Sequence, residues 1–325
     1  MSTPPSVVDH LGPYGWDAQW AAEFATLPGT PARVTRVDRG AVRAITATGT
    51  VSATPAIDSA LVTGDWTAVR HEDGDSGSAE RLATVVATAR RRTALVRRDP
   101  AAEPGPQTLA ANMDQVWVVH GAERPLRAGW LDRALVVAYG SGATPLIVIA
   151  KADLASDPAG FVAASRALSP NTEVVVTSTV TGEGVDAMAR RLRGGRCAVL
   201  LGRSGSGKSS LVNALAGDGA QVTASVRAGD ARGRHTTTRR ALVAVSGGSV
   251  IDTPGIRALG LWDAGPGLQR AFPDVHELAQ QCRFNDCSHE HEPGCAVQDA
   301  RDRGALTADR YQRFMTLSSE MMYEE

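Results

Sequence analysis

The chain has 325 residues, of which 43% are hydrophobic and 21% are charged, proportions typical of a globular protein with roughly two or three domains. A formal net charge of -1 excludes a bulk positive charge as the means of binding nucleic acid or a membrane surface. The sequence shows no apolar run of about 18 residues, and its first residues lack the basic and then apolar pattern of a signal peptide, so we expect a cytoplasmic protein that does not bind a membrane.

The N-terminal part of the chain predicts a short extension followed by a small barrel. Residues 1–30 contain proline, glycine and several aromatic side chains. Residues 31–98 contain β-branched runs separated by glycine turns, which indicates several short strands. The stretch from Arg81 to Arg98 has six arginines and no acidic residue. We therefore expect an OB-like β-barrel that binds RNA, and an ordinary barrel with a solvated arginine face is the alternative.

The middle of the chain alternates strands and helices. A linker with proline and glycine, Asp99 to Asn112, leads into apolar strands and helices that extend over residues 106–265. This alternation predicts a mostly parallel sheet covered on both faces. Residues 266–325 carry a cysteine-bearing segment and a polar helical tail. The predicted fold class is a multidomain α/β protein.

One strand in this region ends in IAKADL, from Ile149 to Leu154. GTPases read guanine with Asn-Lys-x-Asp at a strand end, where the Asp accepts from the base and the Lys packs over the phosphate loop. Alanine takes the position of that Asn, and the candidate residues are Ala150, Lys151, Ala152 and Asp153. The next strand leads into TSTVTGEG, where a backbone N–H near Ser178 would meet the guanine carbonyl. On its own, Lys-Ala-Asp is also compatible with a strand end capped by an acidic residue.

A glycine-rich loop between an apolar strand and a helix follows. LLGRSGSGKSSLVNAL, from Leu200 to Leu215, matches G-x-x-x-x-G-K-[ST]. Backbone N–H groups of such a loop wrap phosphate oxygens, the Lys reaches the β- and γ-phosphates, and the Ser ligates Mg²⁺. The predicted nucleotide-binding residues of this loop are Gly202, Arg203, Ser204, Gly205, Ser206, Gly207, Lys208, Ser209 and Ser210.

The strand VIDTPGI, from Val250 to Ile256, completes the nucleotide motifs. Asp252 is predicted to hold Mg²⁺ through water, and the Gly255 N–H to sense the γ-phosphate. The base-reading motif therefore precedes the phosphate loop, whereas an ordinary GTPase has the phosphate loop first. This is the order of a circularly permuted GTPase, in which the sheet is retained and the chain ends are moved.

Three of the four cysteines lie close together near the C-terminus. The pattern Cys-x4-Cys-x-His-x5-Cys supplies three thiolates and one imidazole, which suits one structural Zn²⁺ in a closed tetrahedral site. The candidate ligands are Cys282, Cys287, His289 and Cys295, with His291 as a rival to His289. Thiols that bind no metal are the alternative. Cys197 reads as a small buried apolar residue of a strand.

These features together resemble the RsgA family of bacterial GTPases, which depend on the small ribosomal subunit. The resemblance covers nearly all of the chain from about residue 30, and its most specific segments are GRSGSGKSSLVNAL, GRHTTTRR, IDTPGIRALGL and CRFNDCSHEHEPGCAV. It implies a GTPase that binds the small subunit and its rRNA, acts late in subunit assembly, and is stimulated by the subunit. It also favours His289 over His291 as the metal ligand.

The segment GRHTTT, from Gly233 to Thr238, occupies the position of the first switch. One threonine there should ligate Mg²⁺; we favour Thr237, while Thr236 and Thr238 stay open. The resemblance implies that His235 positions the attacking water, and a structural or ribosome-contacting role is the alternative. Ile256 stands where Ras-like enzymes carry a water-orienting glutamine, so the free chain should hydrolyse GTP slowly.

Other functions compete with this interpretation. A permuted GTPase of the large ribosomal subunit, a P-loop kinase that uses ATP, and an RNA-binding scaffold with a vestigial nucleotide site are the alternatives. Asp153 and the DTPG sequence argue against the kinase, and Lys208, Ser209 and Asp252 argue against the scaffold. Because Ala150 lacks the amide of Asn, we expect weaker GTP and GDP binding. We expect a monomer.

Overall fold

The strand-rich N-terminal region closes into a barrel. The computed structural model describes residues 7–57, 60–71, 81–99, 105–217, 240–255 and 259–322. Within these residues the barrel strands are Thr30–Asp38 (β1), Ala41–Thr46 (β2), Gly49–Pro55 (β3), Trp66–His71 (β4) and Arg81–Thr88 (β5). They pair in the order β1-β2-β3-β5-β4, antiparallel except for β3 with β5. In β3, buried Val51 and Ala53 alternate with exposed Thr50 and Thr54, as a strand with one face toward a core requires. The predicted OB-like barrel is confirmed.

The N-terminal extension packs against this barrel. Its helices α1 and α2 are Val7–Leu11 and Ala18–Phe24. Asp17 caps α2 by accepting a 2.7 Å hydrogen bond from the Trp20 N–H. The ring of Trp20 lies 5.7 Å from that of Trp66 in β4, and Phe24 joins the same buried cluster. The extension therefore covers an apolar face of the barrel with aromatic side chains.

The next two strands differ from the sequence prediction. Ala94–Arg98 (β6) and Pro106–Ala111 (β7) pair with each other and not with the barrel. Residues up to 98 were expected in the barrel and residues 99–112 in a linker. Leu95 and Leu109 are instead fully buried in the core of the following α/β unit. Contacts that are distant in sequence decide this boundary, and a local pattern of strand residues does not report them.

The middle of the chain forms a sheet covered by helices. Its strands are Gln115–Gly121 (β8), Thr144–Ala150 (β9), Val174–Val176 (β10), Cys197–Leu201 (β11), Ala241–Val245 (β12) and Gly248–Asp252 (β13). Their order among the described residues is β10-β9-β8-β11-β13-β12, and all neighbours are parallel except β12 with β13. Every residue of the central strand β11 is buried, as expected where helices cover both faces. The helices are Ala128–Gly140 (α3), Pro158–Leu168 (α4), Val185–Arg191 (α5) and Lys208–Ala216 (α6).

Arg33 of the barrel joins the barrel to this unit. The residue is 1% exposed, and its guanidinium donates to the Asn112 carbonyl at 2.5 Å and to the Tyr14 carbonyl at 2.8 Å. A Cβ on Gly64, whose φ is +96°, would lie 2.1 Å from the Ala111 carbonyl oxygen, so only glycine permits this close approach. The barrel domain and the α/β unit are therefore in direct main-chain contact through the end of β7.

The C-terminal helix is anchored on α3. The helices of this region are Gly265–Ala271 (α7), Pro273–Ala279 (α8), Ala296–Asp302 (α9) and Ala308–Met322 (α10). Arg313 of α10 donates to both carboxylate oxygens of Asp132 in α3, at 2.7 and 2.6 Å, and Asp132 is 2% exposed. Arg133 and Glu320 form a second ion pair between the same helices. In the part of the chain that the structure describes, none of the helices has the length and apolar character needed to cross a membrane.

Candidate functional site

The glycine-rich loop follows β11 and leads into α6, which begins at Lys208. Gly205 and Gly207 have φ values of +79° and +99°, a region that favours glycine. A Cβ on Gly202 would lie 2.5 Å from the Val119 carbonyl oxygen of β8. The glycines thus permit a tight turn that lies against the neighbouring strand. Loops of this form bind phosphate through backbone N–H groups at a helix N-terminus.

Lys208 lies buried within this loop. Its ammonium donates to the carbonyls of Gly202 at 2.9 Å and Arg203 at 3.0 Å, and the residue is 6% exposed. Burial lowers the pKa of Lys208, and the nearby Asp252 carboxylate opposes this shift. The loop therefore holds a cation beside the turn that is built to receive phosphates.

Ser209 and Asp252, the two residues predicted on the magnesium side, are in contact. The Ser209 hydroxyl donates to Asp252 Oδ2 at 3.0 Å. Asp252 ends β13 and is 2% exposed, and its Oδ1 has no hydrogen-bond partner among the described residues. Burial raises the pKa of Asp252, against the Ser209 hydrogen bond and the charge of Lys208. A hydroxyl and a buried carboxylate oxygen with spare capacity fit Mg²⁺ or its bound water.

The DTPG turn packs directly on the phosphate loop. A Cβ on Gly255 would lie 2.5 Å from both the backbone N and the Cα of Ser204. The Thr253 hydroxyl donates to the Leu200 carbonyl at the end of β11. This contact brings the residue predicted to sense the γ-phosphate against the loop predicted to hold it. Of the other loop residues, Ser206 is buried and Arg203, Ser204, Gly205 and Ser210 are exposed.

The two predicted base-reading loops contact each other. The Ser178 hydroxyl donates to Asp153 Oδ1 at 2.5 Å, and the Ala152 N–H donates to the Thr177 carbonyl at 3.1 Å. Ser178 is fully buried, whereas Asp153 is exposed. The sequence therefore identified two loops that the fold places side by side, with an accessible carboxylate between them.

Lys151 and Ala150 lie over the phosphate loop. The Lys151 ammonium donates to the Gly205 carbonyl at 2.5 Å, and its Cγ lies 3.6 Å from the point where a Cβ on Gly207 would be. The methyl group of Ala150 is 3.3 Å from the same point. Ala150 is 4% exposed and offers no polar side-chain atom to the loop.

Glu123 lies outside the motifs that the sequence identifies. Its carboxylate Oε1 accepts a 3.1 Å hydrogen bond from the Lys151 ammonium, although the two residues are 28 positions apart. No motif surrounds Glu123, because the turn after β8 carries no standard nucleotide-binding pattern. Only the parallel pairing of β8 with β9 brings this turn beside the base-reading loop.

The predicted switch residues lie outside the described residues. These are His235 and Thr237, together with Thr236, Thr238 and Ile256. Their roles in Mg²⁺ binding and in water positioning stay predictions.

The cysteine-rich segment brings its four candidate ligands together. One ligand atom from each of Cys282, Cys287, His289 and Cys295 lies within 4.8 Å of the others. His289 Nδ1 is 3.6 Å from Cys282 Sγ and 3.5 Å from Cys295 Sγ. The side chain of His291 is 92% exposed and does not belong to this cluster. The segment can therefore hold one metal ion, with His289 as the histidine ligand.

The arginine-rich stretch serves the fold in part. Arg91 donates to Asp65 at 2.7 Å, and Arg92 donates to Asp17 at 2.6 Å. The Arg92 guanidinium also lies 3.6 Å from the centre of the Trp20 ring. These two arginines are committed to contacts within the protein, so a surface for RNA on the barrel has fewer cations than the sequence suggests.

Comparison with known proteins agrees with the geometry. The family model described as RsgA GTPase matches residues 88–262. A relative from Streptomyces coelicolor, the small ribosomal subunit biogenesis GTPase RsgA, is 43% identical over 335 residues, which cover 98% of this chain and 89% of the relative.

Two solved structures share the architecture. The crystal structure of YjeQ from Thermotoga maritima has a TM-score of 0.66 and 26% identity, with coverage of 91% of this chain and 99% of that chain. The structure of YloQ, a circularly permuted GTPase, has a TM-score of 0.64 and 21% identity, with coverage of 91% and 96%. The second likeness concerns the fold, and it agrees with the order of motifs in this chain.

Proposed function

Because the chain belongs to the RsgA GTPase family, we propose that it hydrolyses GTP to GDP and phosphate in the biogenesis of the small ribosomal subunit. One observation carries the proposal: the phosphate loop, the DTPG turn and the two base-reading loops meet at one edge of the sheet. Ser209 bonds to Asp252, Gly255 packs on Ser204, and Lys151 bonds to Gly205. A site at the carboxyl ends of parallel strands is the usual ligand position in such a sheet.

In this proposal the phosphate loop holds the phosphates, with Lys208 at the β- and γ-phosphates and Ser209 and Asp252 on the Mg²⁺ side. Bound Mg²⁺ would neutralise part of the phosphate charge. The free Oδ1 of Asp252 supports this assignment. Thr237 would complete the magnesium site, and the Gly255 N–H would contact the γ-phosphate.

Asp153 would select guanine. Its exposed carboxylate would accept hydrogen bonds from the N1–H and amino group of the base, which adenine cannot provide in that pattern. The loop that contains Ser178 would offer a backbone N–H to the guanine carbonyl. The 2.5 Å bond from the Ser178 hydroxyl to Asp153 supports a fixed orientation of the carboxylate.

We further propose slow hydrolysis by the free chain. Ile256 has no group that can orient water, and His235 would take that role when the small ribosomal subunit is bound. The barrel and the cysteine-rich segment would contact rRNA. The cluster of Cys282, Cys287, His289 and Cys295 would hold one structural Zn²⁺, since four nitrogen and sulfur ligands leave no position for chemistry.

A single chain carries all of the nucleotide loops, so we propose a monomer. The proposed partner implies that it acts in the cytoplasm.

The test is GTP hydrolysis by the purified protein alone, with small ribosomal subunits and with large subunits, and ATP as the competing nucleotide. We expect slow turnover that rises many-fold with small subunits only. The variant Lys208→Ala should lose the stimulated activity. Stimulation by large subunits would support the large-subunit alternative, and equal use of ATP without stimulation would support the kinase. Either of these results would contradict the proposed function.

A further inference from the structure

We propose that Glu123 is a positioning residue of the nucleotide site. Its carboxylate holds the Lys151 ammonium on the phosphate loop and so ties the base-reading loop to that loop, where Ala150 supplies no side-chain bond. This inference rests on the proposed guanine-nucleotide binding, and it names a residue outside the sequence motifs.

The side chain of Lys151 extends across the phosphate loop. Lys151 has a left-handed φ of +59°. Its Cγ and Cε lie 3.6 and 3.7 Å from the position that a Cβ on Gly207 would take. The side chain therefore crosses the residue before α6, and its ammonium reaches the Gly205 carbonyl at 2.5 Å.

Glu123 lies beside Lys151, in the turn after β8. The turn that contains it is fixed to the base-reading strand, because the Ala122 N–H donates to the Ala150 carbonyl at 2.8 Å. From that turn Glu123 Oε1 accepts from the Lys151 ammonium at 3.1 Å. The side chains of Glu123 and Lys151 are only 23% and 32% exposed, so the pair is partly shielded from water.

The carboxylate of Glu123 carries a negative charge. Burial acts to raise the pKa of Glu123, but hydrogen bonds from its own backbone and from Lys151 outweigh it, as do the charges of Lys151 and Arg124, and the pKa lies below its usual value. The carboxylate is therefore ionised at neutral pH. The ammonium has an acceptor on each side, one anion and one phosphate-loop carbonyl.

Alanine at position 150 makes the contact between Glu123 and Lys151 important. An asparagine there has an amide that can bond to the phosphate loop, whereas the alanine methyl group cannot. A lysine has a flexible stem of four carbons, so one carbonyl contact alone leaves its ammonium free to move. With Glu123 in place, the ammonium is held between two loops. Without it, the contact between the base loop and the phosphate loop should be weaker, and a bound nucleotide should dissociate faster.

The test measures dissociation of fluorescent GDP from the full-length protein. We expect the dissociation rate to rise about three- to fivefold in Glu123→Gln and Glu123→Ala, the range of a partly exposed ion pair. High ionic strength should narrow the difference from the unsubstituted protein. The matched control is Glu277→Gln, which removes an exposed carboxylate from α8 and should leave the rate unchanged.

A double-substitution cycle separates positioning from a general structural role. In the Ala150→Asn background the amide supplies the missing bond, so Glu123→Gln should raise the rate less than twofold. Thermal unfolding without nucleotide should be the same for Glu123→Gln and Glu277→Gln. An equal effect of Glu123→Gln in both backgrounds, or a rate equal to that of the control, would overturn the proposal.

If Ala150→Asn does not fold, the salt dependence of the GDP dissociation rate tests the ion pair. An increase in that rate in Glu123→Gln that does not depend on ionic strength would contradict an ion pair. These results are separate from the proposed function: a chain that fails to bind GDP contradicts that function, whereas normal GDP binding without a Glu123 effect contradicts only this inference.

Discussion

The nucleotide loops and the metal cluster are held in place by different means. Each predicted nucleotide loop follows a strand of one sheet, and the loops contact one another through backbone and side-chain hydrogen bonds. The four candidate metal ligands lie in a segment, residues 280–295, that has turns and bends but no helix or strand. Their neighbours are the C-terminal helices, where the Tyr311 hydroxyl donates to the His289 carbonyl at 2.7 Å.

The difference shows what each site requires of its ligand. The sheet keeps the phosphate loop in position through its own hydrophobic core, so the proposed nucleotide and Mg²⁺ would add to a site that is already formed. Cys295 belongs to the main hydrophobic core, but the segment that carries the other three ligands has no helix or strand of its own, so the ion itself should supply much of the energy that holds the four ligands together.

The largest effect should follow loss of a metal ligand. Cys295→Ser replaces one thiolate of the cluster, and we expect zinc affinity to fall by about a hundredfold or more. Metal analysis of the purified variant should show less than one zinc per chain, and residues 282–302 should lose protection from proteolysis. GDP binding should be retained, because the sheet does not depend on the cluster. Loss of GDP binding together with the metal would show that the nucleotide site depends on the metal site.

The next effect concerns the ion pair that anchors the C-terminal helix. Arg313→Leu leaves Asp132 buried against α10 without its main partner. Burial raises the pKa of Asp132 even with Arg313 present, so we expect it to become protonated in the variant and the cost to be about 3 kcal/mol. Thermal unfolding measures this change in stability. The surface substitution Arg127→Leu is the matched control, and an equal loss in both variants would show that the pair anchors nothing.

A smaller effect, confined to the nucleotide site at the carboxyl ends of the strands, should follow Lys208→Ala. The substitution removes the cation beside the phosphates, and we expect GTP affinity to fall by about a hundredfold. Equilibrium binding of fluorescent GTP measures this loss. The unfolding temperature without nucleotide and the zinc content should be unchanged. If the variant lost its zinc, the two sites would not be independent.

The smallest effect is a pH dependence of Mg²⁺ binding. Burial raises the pKa of Asp252, so protons compete with Mg²⁺ for this carboxylate at a higher pH than for an ordinary aspartate. Ionised Asp252 is the binding form; Mg²⁺ affinity should therefore be full above the raised pKa and fall as pH decreases through it. Titration of Mg²⁺ into the GDP complex between neutral and acidic pH measures this dependence. In Asp252→Asn the dependence should disappear, and an unchanged pH profile would contradict the assignment.

Local sequence predicted most of the sheet and the nucleotide motifs. Apolar runs such as Cys197–Leu201 and glycine turns such as Gly205–Gly207 report burial and backbone conformation directly. Close chemical spacing likewise predicted the metal cluster, because its ligands lie within one short segment.

Features that depend on distant contacts could not be predicted. The strand Ala94–Arg98 has the local character of a barrel strand, yet Leu95 is buried in the core of the α/β unit. Arg91 and Arg92 look like cations available for RNA, but Asp65 and Asp17 neutralise them across the fold. Glu123 acquires its contact with Lys151 only through strand pairing.

Nucleotide selectivity tests most directly whether loops at the carboxyl ends of the sheet strands form a guanine site. GDP, ADP and xanthosine diphosphate are titrated against the unsubstituted protein and against Asp153→Asn. We expect the unsubstituted protein to prefer GDP over both competitors, and Asp153→Asn to lose the preference for GDP over xanthosine diphosphate. Equal selectivity in the two proteins would contradict the role of Asp153 and the site built around it.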